Sequence, residues 1–475
     1  MRGYGLFRRC RFLLGGLATG MFAAAPGAAH ASEDALLARG AYLARAADCV
    51  ACHTRPGGPV FGGGYGIQSP MGVIYSSNIT PSIRYGIGRW SEAGFARAVR
   101  EGLSSDGRHL YPAMPYDSYS GLTDRDIHAL YIYMRQGVAA VEQPVGAETR
   151  LRFPYNFRGL MGVWNWLFLD RTRFAPRPAE TERAARGRYL VETIAHCGTC
   201  HTPRNFMMAA KRGKALSGAR VGGWFAPDIA AGRNGPLASW RDEEIDAYLR
   251  NGHVRDRAVA AGPMGEAVEH SLRYLTDDDL AAITYYLRLI DRSGSGAIPV
   301  EPRRKTISGE REYGFSSAGS EAVLAMARRE RAANPGPYAD RRDYRSVAGG
   351  AALYRAACAS CHQLDGSGTQ DDYYPALRES TILRGGKPDN LVMTILAGVH
   401  RNGADGLAAM PAFRQDLSDA QIVAIVRFLS RTFGGREMAV DSAQVAALRR
   451  LDTADFAAQA LPSGSRALNT RPERP

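Results

Sequence analysis

Three short runs carry the chemistry of this chain: Cys49-Val50-Ala51-Cys52-His53, Cys197-Gly198-Thr199-Cys200-His201 and Cys358-Ala359-Ser360-Cys361-His362. In such a run the two thiols can form thioethers with the vinyl groups of a haem, and the adjacent histidine ligates the iron. The runs use six of the seven cysteines; the seventh, Cys10, lies in the N-terminal leader. A disulfide framework would not explain a histidine after every second cysteine. A zinc site would need further Cys or His pairs at ligand spacing, and the sequence lacks them. The spacing therefore predicts three covalently bound haem c groups. Their thioethers are Cys49, Cys52, Cys197, Cys200, Cys358 and Cys361, and their proximal ligands are His53, His201 and His362. Such a chain moves electrons.

A haem iron held by one histidine still needs a sixth ligand. Methionine there favours electron transfer and raises the potential, whereas an open side favours binding of small ligands. Met114, Met264 and Met410 follow their haem histidines by 61, 63 and 48 residues, each in a loop expected before a closing helix. Pro115 and Pro411 follow the methionine and Pro263 precedes Met264, which would stiffen those loops. Methionine is more often core filler, but recurrence at one position marks these three as distal ligands. His109, His253, His270 and His400 lie in comparable loops and are the competing donors; Met71, Met207, Met208 and Met393 do not recur and read as packing or surface. With all three irons six-coordinate, none is open to a substrate. There is no nucleophile–base pairing and no phosphate-binding loop, since the glycines at 62–64 follow no strand pattern and open no helix. No catalytic residue is assigned, and the chain is not expected to be an enzyme on its own.

The elements around these residues repeat with them. Each unit reads as helix, haem motif, loop, middle helix, methionine loop and capped helix. The first helix is expected over 33–47, with Gly40 and Tyr42 allowing close approach of a second helix; Gly187 and Tyr189 echo them. The middle helices start near Ser91, Ile245 and Asn390 and stop at Gly102, Gly252 and Gly398. The closing helices open with Leu122-Thr123-Asp124-Arg125-Asp126-Ile127, Leu275-Thr276-Asp277-Asp278-Asp279-Leu280 and Leu417-Ser418-Asp419-Ala420-Gln421-Ile422, each a capping box with a hydrophobic staple. The fold class is mainly α, with three tandem cytochrome c-like domains of class I type at 32–138, 181–291 and 346–433. A signal peptide (1–31), an aromatic-rich linker (139–180), a polar linker (292–345) and a C-terminal tail (434–475) complete the chain. A helix is expected over 321–333, and 445–460 is weakly amphipathic.

The leader has Arg2, Arg8, Arg9 and Arg11 before an apolar stretch, with Ala29-His30-Ala31 as the cleavage site. The alternative is an uncleaved anchor. Net charge is +13, and loss of those four arginines leaves +9. This suits an acidic partner or an anionic membrane surface, or serves solubility alone. No later apolar run reaches the ~20 residues of a membrane-spanning helix. The aromatic stretch 153–169 is either a connector packed between two haem units or a docking or membrane-contact surface.

The mature chain resembles the three-haem cytochrome c subunits of membrane-bound periplasmic dehydrogenases, the type serving gluconate, alcohol, sorbitol or fructose oxidation. The matching stretches include Tyr75-Ser76-Ser77-Asn78-Ile79-Thr80-Pro81, Gly86-Ile87-Gly88-Arg89-Trp90-Ser91, Tyr111-Pro112-Ala113-Met114-Pro115-Tyr116, Trp164-Asn165-Trp166, Cys200-His201-Thr202-Pro203-Arg204-Asn205 and Gly262-Pro263-Met264. The resemblance implies a separate catalytic subunit carrying a flavin or quinone cofactor, with electrons passing through the haems to ubiquinone. It also implies a site on the periplasmic side of the bacterial inner membrane, peripherally attached, with no role for nucleic acid. Similar cytochromes serve molybdenum hydroxylases acting on aldehydes or heteroaromatic rings; a stand-alone carrier and a haem peroxidase are the other readings. Two stretches depart from the family pattern: 226–236 in the second unit and an added-looking 401–407 in the third.

Overall fold

The computed structural model describes residues 26–231, 235–290, 317–333, 349–403 and 406–451. The leader at 1–25, most of the polar linker and the tail beyond 451 lie outside the described residues; the expected cleavage site falls within the helix Pro26–Ala46.

Three helix crossings organise the chain, and each depends on a missing side chain. The opening helices Pro26–Ala46, Glu182–Tyr189 and Gly350–Ala357 cross the closing helices Asp124–Ile132, Asp277–Leu289 and Asp419–Thr432. At the crossings a Cβ on Gly40, Gly187 or Gly350 would collide with the carbonyl of Ala129, Ala282 or Ala424 respectively. Glycine is needed because the two backbones touch. Tyr133, Tyr286 and Phe428 lie over the same glycines from the closing side.

The expected caps form. Thr123, Thr276 and Ser418 accept from the backbone N–H of Asp126, Asp279 and Gln421, which satisfies one orphan donor at each N-terminus. The reciprocal half of the box differs. Gln421 reaches back to the Ser418 N–H at 3.0 Å, as expected. Asp126 and Asp279 instead turn towards the neighbouring repeat. The middle helices Glu92–Glu101, Asp242–Asn251 and Asp389–Ala397 end at Gly102, Gly252 and Gly398, with φ of 61°, 68° and 72°.

Among the described residues, strands are few and short. Gly66–Ser69, Gly72–Tyr75 and Arg150–Leu151 form an antiparallel sheet, and three hairpins follow. One of these, Val399–Gly403 with Gly406–Met410, accounts for the added-looking segment of the third repeat: it is a hairpin ending beside Met410, with Val399 opposite Met410.

One apolar core is shared by the first two repeats; Leu43, Leu130, Leu190 and Ile283 are all within it. The third repeat has its own core, joined by Val323 and Ala327 of the helix Ser317–Ala333 and by Val445 and Leu448 of the helix Ser442–Arg450. Trp224 of the second repeat also enters this core. It comes from the hairpin Ser217–Val221 with Trp224–Asp228, which includes part of the first departing stretch, 226–236. Asn390 pairs its side-chain amide with both the N–H and the C=O of Phe225 (2.7 and 2.8 Å), and Arg220 pairs with Asp389. The hairpin is therefore a junction between repeats.

The first two repeats grip each other by a reciprocal exchange. Tyr42 of the first donates to Asp279 of the second, and Tyr189 of the second donates to Asp126 of the first at 2.6 Å. Arg39 pairs with Asp126, and Arg186 holds Asp279 through two bonds of 2.7 and 2.6 Å. Each phenol oxygen also accepts from the cap residue of the neighbouring helix, Thr276 N–H at 3.3 Å and Thr123 N–H at 3.1 Å. Burial, then the bond to Asp279, pushes Tyr42 up to about 12. A phenol whose pKa rises on folding stabilises the fold fully below its ordinary value and loses that contribution as pH climbs through the raised one. Tyr42→Phe should therefore destabilise the protein by about 1–2 kcal/mol at neutral pH in urea unfolding. The difference from wild type should vanish as pH rises from about 10 to about 12. A neutral-pH difference near zero would mean that the exchange contributes nothing.

Candidate haem-binding sites

Each haem motif occupies a short helix delivered by the opening helix: Cys49–His53, Gly198–His201 and Ala359–His362. All six cysteines are half-buried and unpaired, so the disulfide reading fails. Burial pushes the thiols of Cys49, Cys52, Cys197 and Cys358 up to about 12 and raises Cys200 as well. Burial thus disfavours the thiolate form at these five cysteines, the form in which cysteine ligates zinc. Among the described residues, no group of three or more His, Cys, Asp or Glu side chains converges to hold a metal ion directly. A haem asks for something different: two thiols for its vinyl edge and one imidazole for its iron, set apart from each other. The donor set fits that group.

The histidines are oriented identically. His53 Nδ1 meets the carbonyl of Ser77 at 2.7 Å, His201 Nδ1 that of Pro227 at 2.7 Å, and His362 Nδ1 that of Pro375 at 2.9 Å. A carbonyl only accepts, so Nδ1 carries the proton and Nε2 keeps the lone pair that iron requires. Burial lowers the pKa of all three rings, with the carbonyl bond opposing it, and holds them neutral.

Behind each carbonyl stands a glycine at positive φ. Gly63 (74°) backs Ser77, Gly218 (85°) backs Pro227, and Gly368 (68°) backs Pro375; a Cβ on any of them would press into that backbone at 2.5–3.0 Å. Gly63 and Gly368 also donate to the carbonyls of His53 (2.8 Å) and His362 (3.2 Å). Sequence reading misses this device, because the glycine-rich run at 62–64 invites comparison only with a phosphate loop. The carbonyl residues follow their histidines by 24, 26 and 13 positions, and no motif search would align them.

The three methionines expected as distal ligands are placed less uniformly than the sequence pattern suggests. Met114 lies in a loop, as anticipated, but Met264 lies in the first turn of the helix Gly262–His270, and Met410 ends the strand Gly406–Met410. Pro263, at the start of its helix, lacks the N–H that the first turn cannot use and so favours helix there. The Met114 loop is pinned by the aromatic linker. Buried Tyr116 donates to Asn165 at 2.8 Å, Asn165 donates to the Glu101 carbonyl at 3.0 Å, and Trp164 meets Tyr116 edge-on with centroids 6.1 Å apart. Of the competing histidines, His109 packs against Gly162, His253 pairs with Asp372 at 3.1 Å, His270 ends the helix that Met264 opens, and His400 is exposed. Met393 is fully buried core and Met208 is surface, as expected.

The first two motifs approach each other. Tyr119 donates to the carbonyl of Ala47, just before the first motif, at 2.6 Å. Its ring meets His196, just before the second motif, edge-on with centroids 5.5 Å apart. Ser271, after Met264, donates to the Ala46 carbonyl at 3.1 Å. Between them Asp48 and Glu266 are held towards their protonated forms, Asp48 by burial and then by Glu266, and Glu266, pushed up to about 7, by burial and then by Glu269.

Comparison with known proteins agrees with this geometry. The family model described as cytochrome c oxidase, cbb3-type, subunit III matches residues 35–134 and 345–429. The chain is 40% identical over 435 residues to the fructose dehydrogenase cytochrome subunit of Gluconobacter japonicus, covering 89% of this chain and 84% of the relative. It is 37% identical over 433 residues to the cytochrome c subunit of the quinone alcohol dehydrogenase of Gluconacetobacter polyoxogenes, covering 88% and 85%. It is also 37% identical to a nicotinate dehydrogenase subunit of Pseudomonas putida, covering 84% of this chain but 30% of that much longer relative. Paired thiols, oriented imidazoles and likeness over most of the chain lead to one conclusion: this chain is a member of the family of cytochrome c subunits of dehydrogenase complexes, an electron-transfer subunit rather than a catalytic one.

Proposed function

We propose that the chain carries three haem c groups, one in each of the repeats bounded at 32–138, 181–291 and 346–433. On this reading it passes electrons from a dehydrogenase catalytic subunit to membrane ubiquinone on the periplasmic side of the inner membrane, after export by its leader. The observation that carries it is the threefold recurrence of a Cys-x-x-Cys-His helix with Nδ1 fixed on a backbone carbonyl. Each haem, when bound, supplies reversible one-electron chemistry. The chain's own residues do the rest. Cys49, Cys52, Cys197, Cys200, Cys358 and Cys361 anchor the groups, and His53, His201 and His362 present Nε2. Met114, Met264 and Met410 would complete the iron coordination and set the potentials high. Fructose, alcohol or gluconate oxidation by a flavin- or quinone-bearing partner is the substrate class that the relatives suggest.

The likeness to a nicotinate dehydrogenase subunit supports a second reading, in which the partner is a molybdenum hydroxylase. Gentle solubilisation of host membranes and identification of the cofactor on the co-purifying subunit separates the two. Flavin or quinone cofactor is expected; molybdenum would move the assignment to the second reading, and no partner at all would favour a free carrier.

The methionines are testable one at a time. Met410→Ala should open one iron of three: the reduced protein should bind carbon monoxide at roughly a third of its haem, and one potentiometric step should fall. Met114→Ala and Met264→Ala should each do the same at a different step. A variant whose spectrum and potentials match wild type has lost no ligand, and its iron must be held by another residue.

A further inference from the structure

The linker helix Leu160–Phe168 has two unlike faces. Trp164 and Asn165 are buried and pin the Met114 loop. The other face carries Val163, Trp166 and Leu167, and the chain before it adds Phe153 and Phe157. Trp164 donates to the Met207 carbonyl at 2.9 Å, which brings the loop carrying Phe206 alongside. Phe206, Phe153 and Trp166 are 93%, 85% and 76% exposed. Rings that open to solvent touch almost nothing of their own chain, so they project from the surface. A patch of this kind marks an interaction site.

Its rim is cationic and held in place. Arg158 donates to the His109 carbonyl at 3.0 Å with its guanidinium over the Tyr111 ring. Arg204 donates to the carbonyls of Met208 (2.7 Å) and Thr199 (3.2 Å). Neutral carbonyls fix these two side chains, with Asp117 the carboxylate within electrostatic reach of Arg204. Arg212 reaches the Phe168 carbonyl at 2.9 Å and Asp170 at 3.3 Å. Fixed guanidinium groups suit phosphate oxygens, and tryptophan with other apolar side chains settles at headgroup depth. A helix of nine residues spans about 14 Å at 1.5 Å per residue, half of a bilayer core of ~30 Å, so it can lie on a membrane but not cross it. No helix among the described residues is long and apolar enough to cross one.

We propose that this face docks the protein on an anionic bilayer. The inference deepens the proposed function and rests on its membrane acceptor. Projecting rings enter a fluid bilayer without a matching pocket, which a folded partner would have to supply. Docking also turns the first repeat's methionine loop, directly behind the helix, towards the membrane where the quinone lies.

The test uses the full, haem-loaded chain and Trp166→Glu/Phe206→Glu, two positions outside the haem sites. Each is floated with phosphatidylglycerol or phosphatidylcholine vesicles; each is also reduced chemically and mixed with a soluble short-chain quinone. Wild type should float with the anionic vesicles and far less with the zwitterionic ones. The variant should partition at least tenfold less while keeping its haem absorbance and its rate with soluble quinone. Equal flotation of variant and wild type overturns the proposal. So does a wild type that ignores both vesicles while the variant alone loses its co-purifying dehydrogenase subunit, because the face then belongs to a protein partner. Flotation without any electron transfer to soluble quinone would remove the quinone acceptor and leave the docking face standing.

Discussion

A hydrogen bond from imidazole Nδ1 to a backbone carbonyl orients the histidine of each Cys-x-x-Cys-His motif. It decides which nitrogen holds the proton, and so which one is free to ligate a haem iron as proposed, and it locks the plane of the ring. Because the acceptor is main chain, the loop bearing it must itself be placed. That demand explains the glycines at 63, 218 and 368: only a residue without a Cβ lets the acceptor backbone pass so close. The loops then return to middle helices whose ends are fixed by Gly102, Gly252 and Gly398. Local backbone permissiveness is thus converted into the orientation of the three histidine rings.

The second constraint is the helix crossing at Gly40, Gly187 and Gly350, which holds opening and closing helices in backbone contact. Once the closing helix is in place, its cap region becomes an interface. Asp126 and Asp279, which a sequence reader assigns to capping, are satisfied instead by a tyrosine and an arginine each. Since Tyr42 serves Asp279 and Tyr189 serves Asp126, the first two repeats are coupled by one device used twice. The third repeat is attached differently, by a hairpin of the second repeat that puts Trp224 into its core. The order of the chain is therefore a tight pair followed by a third body joined to the second repeat at that hairpin, at the His253–Asp372 pair and at the bond from Thr381 N–H to the Arg257 carbonyl.

Much of this is legible from residue type and spacing. The proposed haem attachment rests on the Cys-x-x-Cys-His runs, and the caps at Thr123, Thr276 and Ser418 and the stops at the middle-helix glycines follow from local rules that each element obeys alone. What the sequence does not disclose depends on partners far along the chain. The carbonyls of Ser77, Pro227 and Pro375 have no side-chain signature. The turning of Asp126 and Asp279 away from their own helices is set by residues 63 and 237 positions distant. Residue types alone leave the stretch 153–169 open between connector and contact surface; in the fold Trp164 and Asn165 face inward and Trp166 outward. Met264 and Met410 fall on a helix and a strand because Pro263 and the pairing of Val399–Gly403 with Gly406–Met410 override the loop pattern of the first repeat.

The measurement that bears most directly on this account is the haem-to-protein ratio of the exported chain, from denaturing mass analysis together with pyridine haemochrome absorbance. The account predicts three covalent haems per chain, with His201→Ala sparing attachment but altering one iron's spectrum, and with Cys197→Ala/Cys200→Ala reducing the ratio to two. A wild-type ratio of two, or a third haem that washes out on denaturation, would contradict it and show that one motif positions its residues for another purpose.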